Sequence, residues 1–476
     1  MINILLIFPI VAAILVLIIK NKKFDIAMVN LYALIHFIIT VLICAGGFET
    51  AQTKYFAVDG TNLIFLLVLS VVNGAVAIYN TGYAKTFDVP DRRISHYSFM
   101  ILVFVLSMTG TLLSTDLGLA WVLVEATTLS SAYLIYFNKT KHSIEAAWKY
   151  VFICSIGIAL AFVGIILLNI SSANVNSLNF NELYKYAQSF DVNWLKMAFV
   201  FMLFGFGAKM GLAPVHFWLP DAHSEAPSPI SALLSAALLN SAFLVIVRVY
   251  KIVNWAGSAH FAKFLLLLMG FISLFITAVF VYHIKNYKRM LAYSSIENMG
   301  ILAIGLALGG AAYYAVILHL IGHSFAKASF FLTSGNVLEL FETKRIKSIN
   351  GVIKADGKTG WLWVASFLAI CAFPTSVLFI SEFLIVKTMV AQKHYILCAL
   401  FLLLLTIILY GIGYVVIKTA FGKISEDKSK LIAVNKDKLS VYMYIPQIIM
   451  LLVVFLLGLY IPPFLANIIS LAVGNF

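Results

Sequence analysis

His319, His323 and Lys327 recur at i, i+4 and i+8 in an otherwise apolar run. On a helix this spacing puts them on one face over about 12 Å. Imidazole and ammonium bracket neutral pH from below and above, which suits a stepwise proton relay helped by water. Zinc chelation by the histidine pair is the rival chemistry. No third ligand lies nearby in the sequence, however, and Lys327 would repel a cation, so no metal ligand is assigned. Three more charges stand alone in apolar runs: Glu125, Lys209 and Glu382. An ionised group at the bilayer centre costs about 2.5–3.5 kcal/mol even on the lenient insertion scale, so Glu125 should face the bundle interior and have a partner. Lys209 is the natural candidate. Each would stabilise the other's charged form while burial favours neutrality in both, so one arriving proton can switch the pair. The alternative is a salt bridge that only locks helices together. Glu382 is placed at the terminal end of the relay, and Lys387, five residues on, snorkels to the interface.

Lys149, Asp221, His223 and Asn240 form a secondary set. Lys149 follows Glu145 at i+4, the orientation that favours a local ion pair. Asp221 and His223 lie in Pro220-Asp221-Ala222-His223-Ser224-Glu225-Ala226-Pro227-Ser228-Pro229. Three prolines make this a structural turn with a proton-access role, in which Asp221 and Ser228 cap helices, rather than a catalytic triad. No residue is assigned as catalytic. The basic residues of Lys285-Asn286-Tyr287-Lys288-Arg289, which lead into Ser294-Ser295-Ile296-Glu297, are expected to anchor a helix end at lipid headgroups. The cysteines, Cys44, Cys154, Cys371 and Cys398, are single residues without the close spacing of an iron–sulfur or zinc site.

The elements that must position these groups follow from composition. The 476 residues are 62% hydrophobic and 11% charged, which specifies an all-α polytopic membrane protein. A soluble enzyme, a disordered regulator and a nucleic-acid binder are excluded, and the net charge of +13 resides in short loops. Apolar runs predict about fourteen helices, near 2–19, 26–46, 60–82, 96–114, 117–137, 147–170, 195–222, 228–253, 261–283, 289–309, 312–338, 361–392, 395–421 and 440–462. The first is expected to be a retained helix, since it has no basic n-region and no cleavage site. Of the 33 lysines and arginines, 22 fall in or beside loops after odd-numbered helices and 7 in or beside those after even-numbered ones. The positive-inside rule then puts the odd loops in the cytoplasm and both termini outside.

Helices 7 and 12 are too long and carry Pro214 and Pro374 in mid-run, so both are expected to be discontinuous near the midplane. Their separation by five helices points to two inverted five-helix repeats around an ion site. The expected division is 1–95 for the N-terminal helices 1–3, 96–253 for the first repeat (helices 4–8), 254–422 for the second (helices 9–13), and 423–476 for a cytoplasmic loop and helix 14.

Four segments carry a family resemblance: Glu125-Ala126-Thr127-Thr128-Leu129-Ser130-Ser131, the run from Lys209-Met210-Gly211 to Asp221-Ala222-His223, Lys288-Arg289-Met290-Leu291-Ala292-Tyr293-Ser294-Ser295, and His319/His323/Lys327. Over about residues 58–390 the chain resembles the antiporter-like subunits of respiratory complex I, of energy-converting hydrogenases and of multisubunit cation/proton antiporters. Ser224 to Leu234 and Glu145 to Tyr150 are most similar to hydrogenase-4 or formate hydrogenlyase membrane component F. The resemblance implies a proton channel unit without cofactors of its own, in which Glu125 pairs with Lys209, helix 11 extends the polar axis and Glu382 is the exit-side residue. Asn240 stands where several relatives have a bridging lysine or histidine, so the link from Lys209 to helix 11 would rely on water. Asn298 stands where a histidine is common.

The function expected is proton translocation, or sodium translocation, across a prokaryotic inner membrane, by one subunit of a redox-driven complex, foremost an energy-converting hydrogenase. The partners would be other antiporter-like and small membrane subunits, a peripheral hydrogenase or dehydrogenase arm with iron–sulfur subunits, and the lipid bilayer. Complex I, a multisubunit cation/proton antiporter uncoupled from redox, and a membrane anchor for a peripheral enzyme are the alternatives.

Overall fold

The computed structural model describes residues 1–46, 52–87, 89–172, 175, 177–424 and 426–474. Among the described residues, thirteen helices are long and apolar enough to cross a membrane. They are α1 (Ile2–Ile19), α2 (Lys22–Gly46), α3 (Gly60–Thr86), α4 (Asp91–Leu113), α5 (Leu117–Asn138), α6 (Lys141–Ser171), α7 (Val192–Met210), α8 (Ser228–Trp255), α9 (Ala259–His283), α10 (Tyr287–Leu308) and α11 (Ala311–Phe341), followed after a broken segment by α13 (Tyr395–Ala420) and α14 (Val441–Leu459). The broken segment is α12, made of α12a (Gly357–Ile370) and α12b (Val377–Ala391). The count of fourteen therefore holds, with some starts displaced. Helix α6 begins at Lys141, not near 147, because Thr140 caps it by accepting from the Ser143 N–H.

Side chains at the helix ends explain where the elements begin. Asp59 accepts from the Thr61 and Asn62 N–H groups while the Asn62 side chain accepts from the Asp59 N–H, a reciprocal capping box at the start of α3. Asp116 and Asp191 cap α5 and α7 in the same sense. Both expected breaks are present. Helix α7 ends at Met210, where Gly211 takes φ 81° and its N–H bonds back to Ala208 and Gly207, and a short helix resumes at Leu219–Glu225. Helix α12a ends at Ile370 and Ser376 caps α12b by accepting from the Phe379 N–H.

Loop contacts show the threading. The connections after α5, α7, α9 and α11 meet at one end: Asn138 donates to the Glu225 carbonyl, Asn286 to Ser224 and Lys344 to the Glu225 carboxylate. Backbone bridges Phe56–Ser114 and Asp116–Asn179 gather the connections after α2, α4 and α6 at the other end. Odd and even loops are thus segregated, as the charge distribution requires.

Burial ranks the helices. The apolar windows of α8 and α11 are 100% buried and that of α10 is 94%, whereas those of α1, α2, α6 and α13 are at most 39%. The three central helices carry Asn240, Asn298, His319, His323 and Lys327, so the polar residues sit in the middle of the bundle.

Close approach of α6 and α7 closes the wall around Lys209. Gly157 and Gly205 face each other, and a Cβ on Gly205 would come within 2.6 Å of the Gly157 carbonyl oxygen and the Ala161 nitrogen. Gly205→Val should destabilise the fold by about 1–3 kcal/mol through overpacking. Thermal unfolding in detergent checks this. Gly74→Ala, where an added Cβ meets nothing within 4 Å, should cost nothing.

Candidate functional site

The break after Met210 leaves Lys209 in the last turn of α7 with its side chain fully buried. Its ammonium donates to the Thr128 hydroxyl at 2.8 Å and to the Tyr150 hydroxyl at 2.6 Å, and sits 4.7 Å from the centre of the Tyr150 ring. Tyr150 in turn shares a hydrogen bond of 2.6 Å with Ser131. Glu125 is half-buried one turn before Thr128, accepting from Thr128 at 2.9 Å and from Ser155 at 2.7 Å. The expected partnership of Glu125 and Lys209 is therefore indirect: no ion pair within 4.0 Å joins them, and Thr128 bridges the two. The hydroxyl accepts from the lysine and donates to the carboxylate, which keeps both charged groups hydrogen-bonded without direct contact.

On α11, His319, His323 and Lys327 are all fully buried. His319 reaches Asn298 on α10 through Nε2 at 3.0 Å and Ser381 on α12b through Nδ1 at 2.9 Å. The Asn298 amide nitrogen donates to the Ser294 carbonyl, so its oxygen faces the histidine and Nε2 is the donor. Neither ring nitrogen of His323 has a protein hydrogen-bond partner. Lys327 donates to the Leu291 carbonyl at 2.8 Å. Asn240 on α8 donates to Ser324 at 2.7 Å, and so joins α8 to α11 one residue beyond His323. Just before it, Leu234–Leu238 forms a π-helical turn, a feature often found at functional sites.

Glu382 follows the break in α12 and lines a cavity of about 270 Å³. Glu297 lines the same cavity, from α10. In the sequence Glu297 belongs to a segment that begins with the basic cluster, which masks it as interfacial. The signal was nonetheless the one that marks Glu125 and Glu382, an acid inside an apolar helix.

The secondary residues gather at the end where the odd loops meet. Lys149 pairs with Glu145 at 2.6 Å, as its spacing implies, and also with Asp221 at 3.1 Å. Asp221 does not cap a helix; it lies inside the short helix Leu219–Glu225 and pairs with Arg289 as well. Ser228 is not a cap either, since Pro227 holds that position. Nor does the whole basic cluster face headgroups: Lys288 is fully buried and donates to the Ala226 carbonyl at 2.7 Å. Three prolines turn the chain so that carbonyls point inward, and a lysine satisfies one of them. His223 is fully buried without a partner on either ring nitrogen, and stacks on Phe331 of α11 at 4.8 Å.

A second polar cluster, not singled out in the sequence, lies in the N-terminal helices, where His36 bonds Ser70 at 2.6 Å and Thr109 at 3.0 Å. Both ring nitrogens have hydroxyl partners from α3 and α4, so this cluster ties helices together.

Residues 114–409 match the family described as NADH:quinone oxidoreductase/Mrp antiporter, transmembrane. The chain belongs to this family. It is 33% identical over 425 residues to the hydrogenase-4 component F homolog of Methylacidiphilum infernorum, covering 86% of each chain. Its fold is like that of a chain in an archaeal respiratory complex, the membrane-bound sulfane sulfur reductase (TM-score 0.85, 22% identity, 100% of this chain and 97% of that one). It is also like that of a chain in the Mrp complex of Dietzia (TM-score 0.83, 16% identity, 100% and 96%). The expected resemblance is thus borne out: this member of the NADH:quinone oxidoreductase/Mrp antiporter family is an antiporter-like, multi-pass membrane subunit related to hydrogenase-4 component F.

Thr128→Val should remove both halves of the bridge and cost about 1–3 kcal/mol, because Glu125 and Lys209 each lose a hydrogen bond. Equilibrium unfolding in mixed micelles measures it, and Thr128→Ser should restore the wild-type value.

Proposed function

We propose that the chain translocates protons as the antiporter-like subunit of a redox-driven membrane complex of the energy-converting hydrogenase type. The observation that carries this is the run of ionisable groups inside the bundle, fully buried Lys209, His319, His323 and Lys327 with partly buried Glu125 and Glu382, on the four helices α5, α7, α11 and α12. A scaffold gains nothing from such groups, since each must be hydrogen-bonded or paired against a steep desolvation cost.

Protonation changes at Glu125 and Lys209 pass through Thr128. The Thr128 hydroxyl, bonded to both groups, gives the proton a hydrogen-bonded route between them. The step onward to α11 runs by water past Asn240 and Ser324 to His323, whose ring nitrogens are free to accept and donate. Lys327 and His319 extend the path along one helix face to Glu382. Asp221 and His223, with Lys149, are the access-side residues at the end where the odd loops meet. The helices α4–α8 and α9–α13 are two inverted halves, each with its own broken helix, α7 and α12. The excess of basic residues in the odd loops puts that end in the cytoplasm and both termini outside a prokaryotic inner membrane.

The likeness to hydrogenase-4 component F favours a hydrogenase as the driving partner, with iron–sulfur subunits in a peripheral arm and further antiporter-like and small subunits in the membrane. A second reading, cation/proton exchange driven by ion gradients alone, is favoured by the likeness to the Mrp complex chain.

Purification of the tagged chain in mild detergent, with mass spectrometry of what accompanies it, tests the choice. Hydrogenase and iron–sulfur subunits are the expected companions. Recovery with only small hydrophobic antiporter subunits would overturn redox coupling. In vesicles holding the complex, Glu125→Gln and Lys209→Ala should each lower proton uptake by roughly a hundredfold with assembly intact. Loss of assembly in both would instead mark a purely structural role for the Thr128-bridged pair.

A further inference from the structure

The wall of the α10–α12–α13 cavity contains two carboxylates and no lysine, arginine or histidine. Glu297 is only 8% exposed and lines the cavity, with the Ser294 hydroxyl as the protein donor beside its carboxylate. Glu382 lies across the same space from α12b, and the two repel each other electrostatically. Behind Glu297, fully buried Lys327 supplies an opposing positive charge. No ion pair within 4.0 Å joins any two of these three groups. The cavity volume gives room for several waters between the two carboxylates. The other titratable groups nearby are Cys371 on the cavity wall, and His319, held by Asn298 of α10 and Ser381 of α12b, with His323 one turn along α11.

Charge balance limits what this cluster can hold. Two carboxylates and one ammonium leave one negative charge, which a low-dielectric interior does not tolerate uncompensated. One monovalent cation restores neutrality. A sodium ion stripped of water needs several oxygen ligands, whereas the side chains of the wall add to the carboxylates only one hydroxyl, Thr406, already donating to the Leu402 carbonyl. A proton needs no such shell, and two carboxylates that face each other commonly share one.

We propose that Glu297 and Glu382 form a single proton-binding unit with Lys327, in which the two carboxylates hold one proton between them while Lys327 is charged. Glu297 is thereby a further residue of the transport path, and this role rests on the proton-translocating function proposed above. In the transfer step an N–H bond of Lys327 breaks, the electron pair stays on nitrogen, and an O–H bond forms on the ionised carboxylate by way of cavity water. Before the step the cluster has one ammonium, one carboxylate and one carboxylic acid; after it, a neutral amine and two carboxylic acids. Both states are neutral overall, so the proton moves without leaving net charge in the membrane. Exposed Phe383, Leu402 and Leu409 border the cavity, so its mouth lies on the bundle flank at membrane depth.

Infrared difference spectroscopy of the full chain in lipid nanodiscs, wild type minus variant at neutral pH, reads the protonated carboxyl directly. One carboxylic-acid band should be lost in Glu297→Gln and the same band in Glu382→Gln, because the remaining carboxylate then ionises against Lys327. Glu297→Asp should keep it, which separates proton sharing from a folding defect. Two independent bands, each lost in only one variant, or no band in the wild type, would overturn the proposal. Loss of the wild-type band on adding sodium chloride would overturn it in favour of a sodium site. In vesicles of the intact complex, Glu297→Gln should lower proton uptake by roughly a hundredfold while electron transfer to an artificial acceptor persists. Unchanged uptake would remove Glu297 from the path. A wild-type complex that takes up no protons yet shows the shared band would sink the translocation reading and leave the two-carboxylate site standing.

Discussion

Charge in a medium that cannot solvate it is the constraint on which this structure turns. An unpaired ion inside the membrane costs several kcal/mol, so each must find a hydrogen bond, an opposite charge or a proton. The protein meets this by concentrating its titratable groups on α8, α10 and α11, which are buried on nearly every side, and on the helix ends beside them. Lys209 shows the arrangement most clearly. Two hydroxyls and an aromatic ring surround its ammonium, and a third partner, Glu125, is reached only through Thr128. The hydroxyl bridge keeps each charge hydrogen-bonded without direct contact between them.

The broken helices serve the same constraint. An intact helix satisfies all its interior backbone groups and presents only side chains, but a break frees carbonyl and amide groups at the midplane. After Met210 the Gly211 turn caps α7 internally, and the Trp218 indole donates to the Ala208 carbonyl at 2.7 Å, so little is left unsatisfied. At the second break Ser376 caps α12b, and Gly458 of α14 packs against Thr375 so closely that a Cβ there would lie 2.2 Å from its carbonyl oxygen. The last membrane helix therefore covers the α12 break, giving α14 a packing role that its plain apolar sequence does not suggest.

The buried histidines differ in how completely they are hydrogen-bonded. His36 has a hydroxyl on each ring nitrogen and bolts α2 to α3 and α4. His323 and His223 have no protein partner on either nitrogen. His319, like His36, is bonded on both nitrogens, so a change of its protonation must rearrange those hydrogen bonds, while an unpartnered imidazole has none to rearrange.

Composition, apolar run length and two interior prolines determined the class of fold, the fourteen crossings, the two breaks and the residues at the centre of the bundle, because a bilayer imposes a length and a polarity that a one-dimensional sequence displays directly. Spacing within one helix likewise determined the His319, His323 and Lys327 face and the Glu145–Lys149 pair. Only the tertiary structure decided who meets whom between helices. Thr128 as the bridge, Arg289 and Lys149 on Asp221, Lys288 buried under the proline turn, and Glu297 across a cavity from Glu382 all join residues far apart in the chain. Such contacts depend on the rotation and depth of each helix in the bundle. Those are set by packing, such as the Gly157–Gly205 contact, and leave no periodic trace in the sequence.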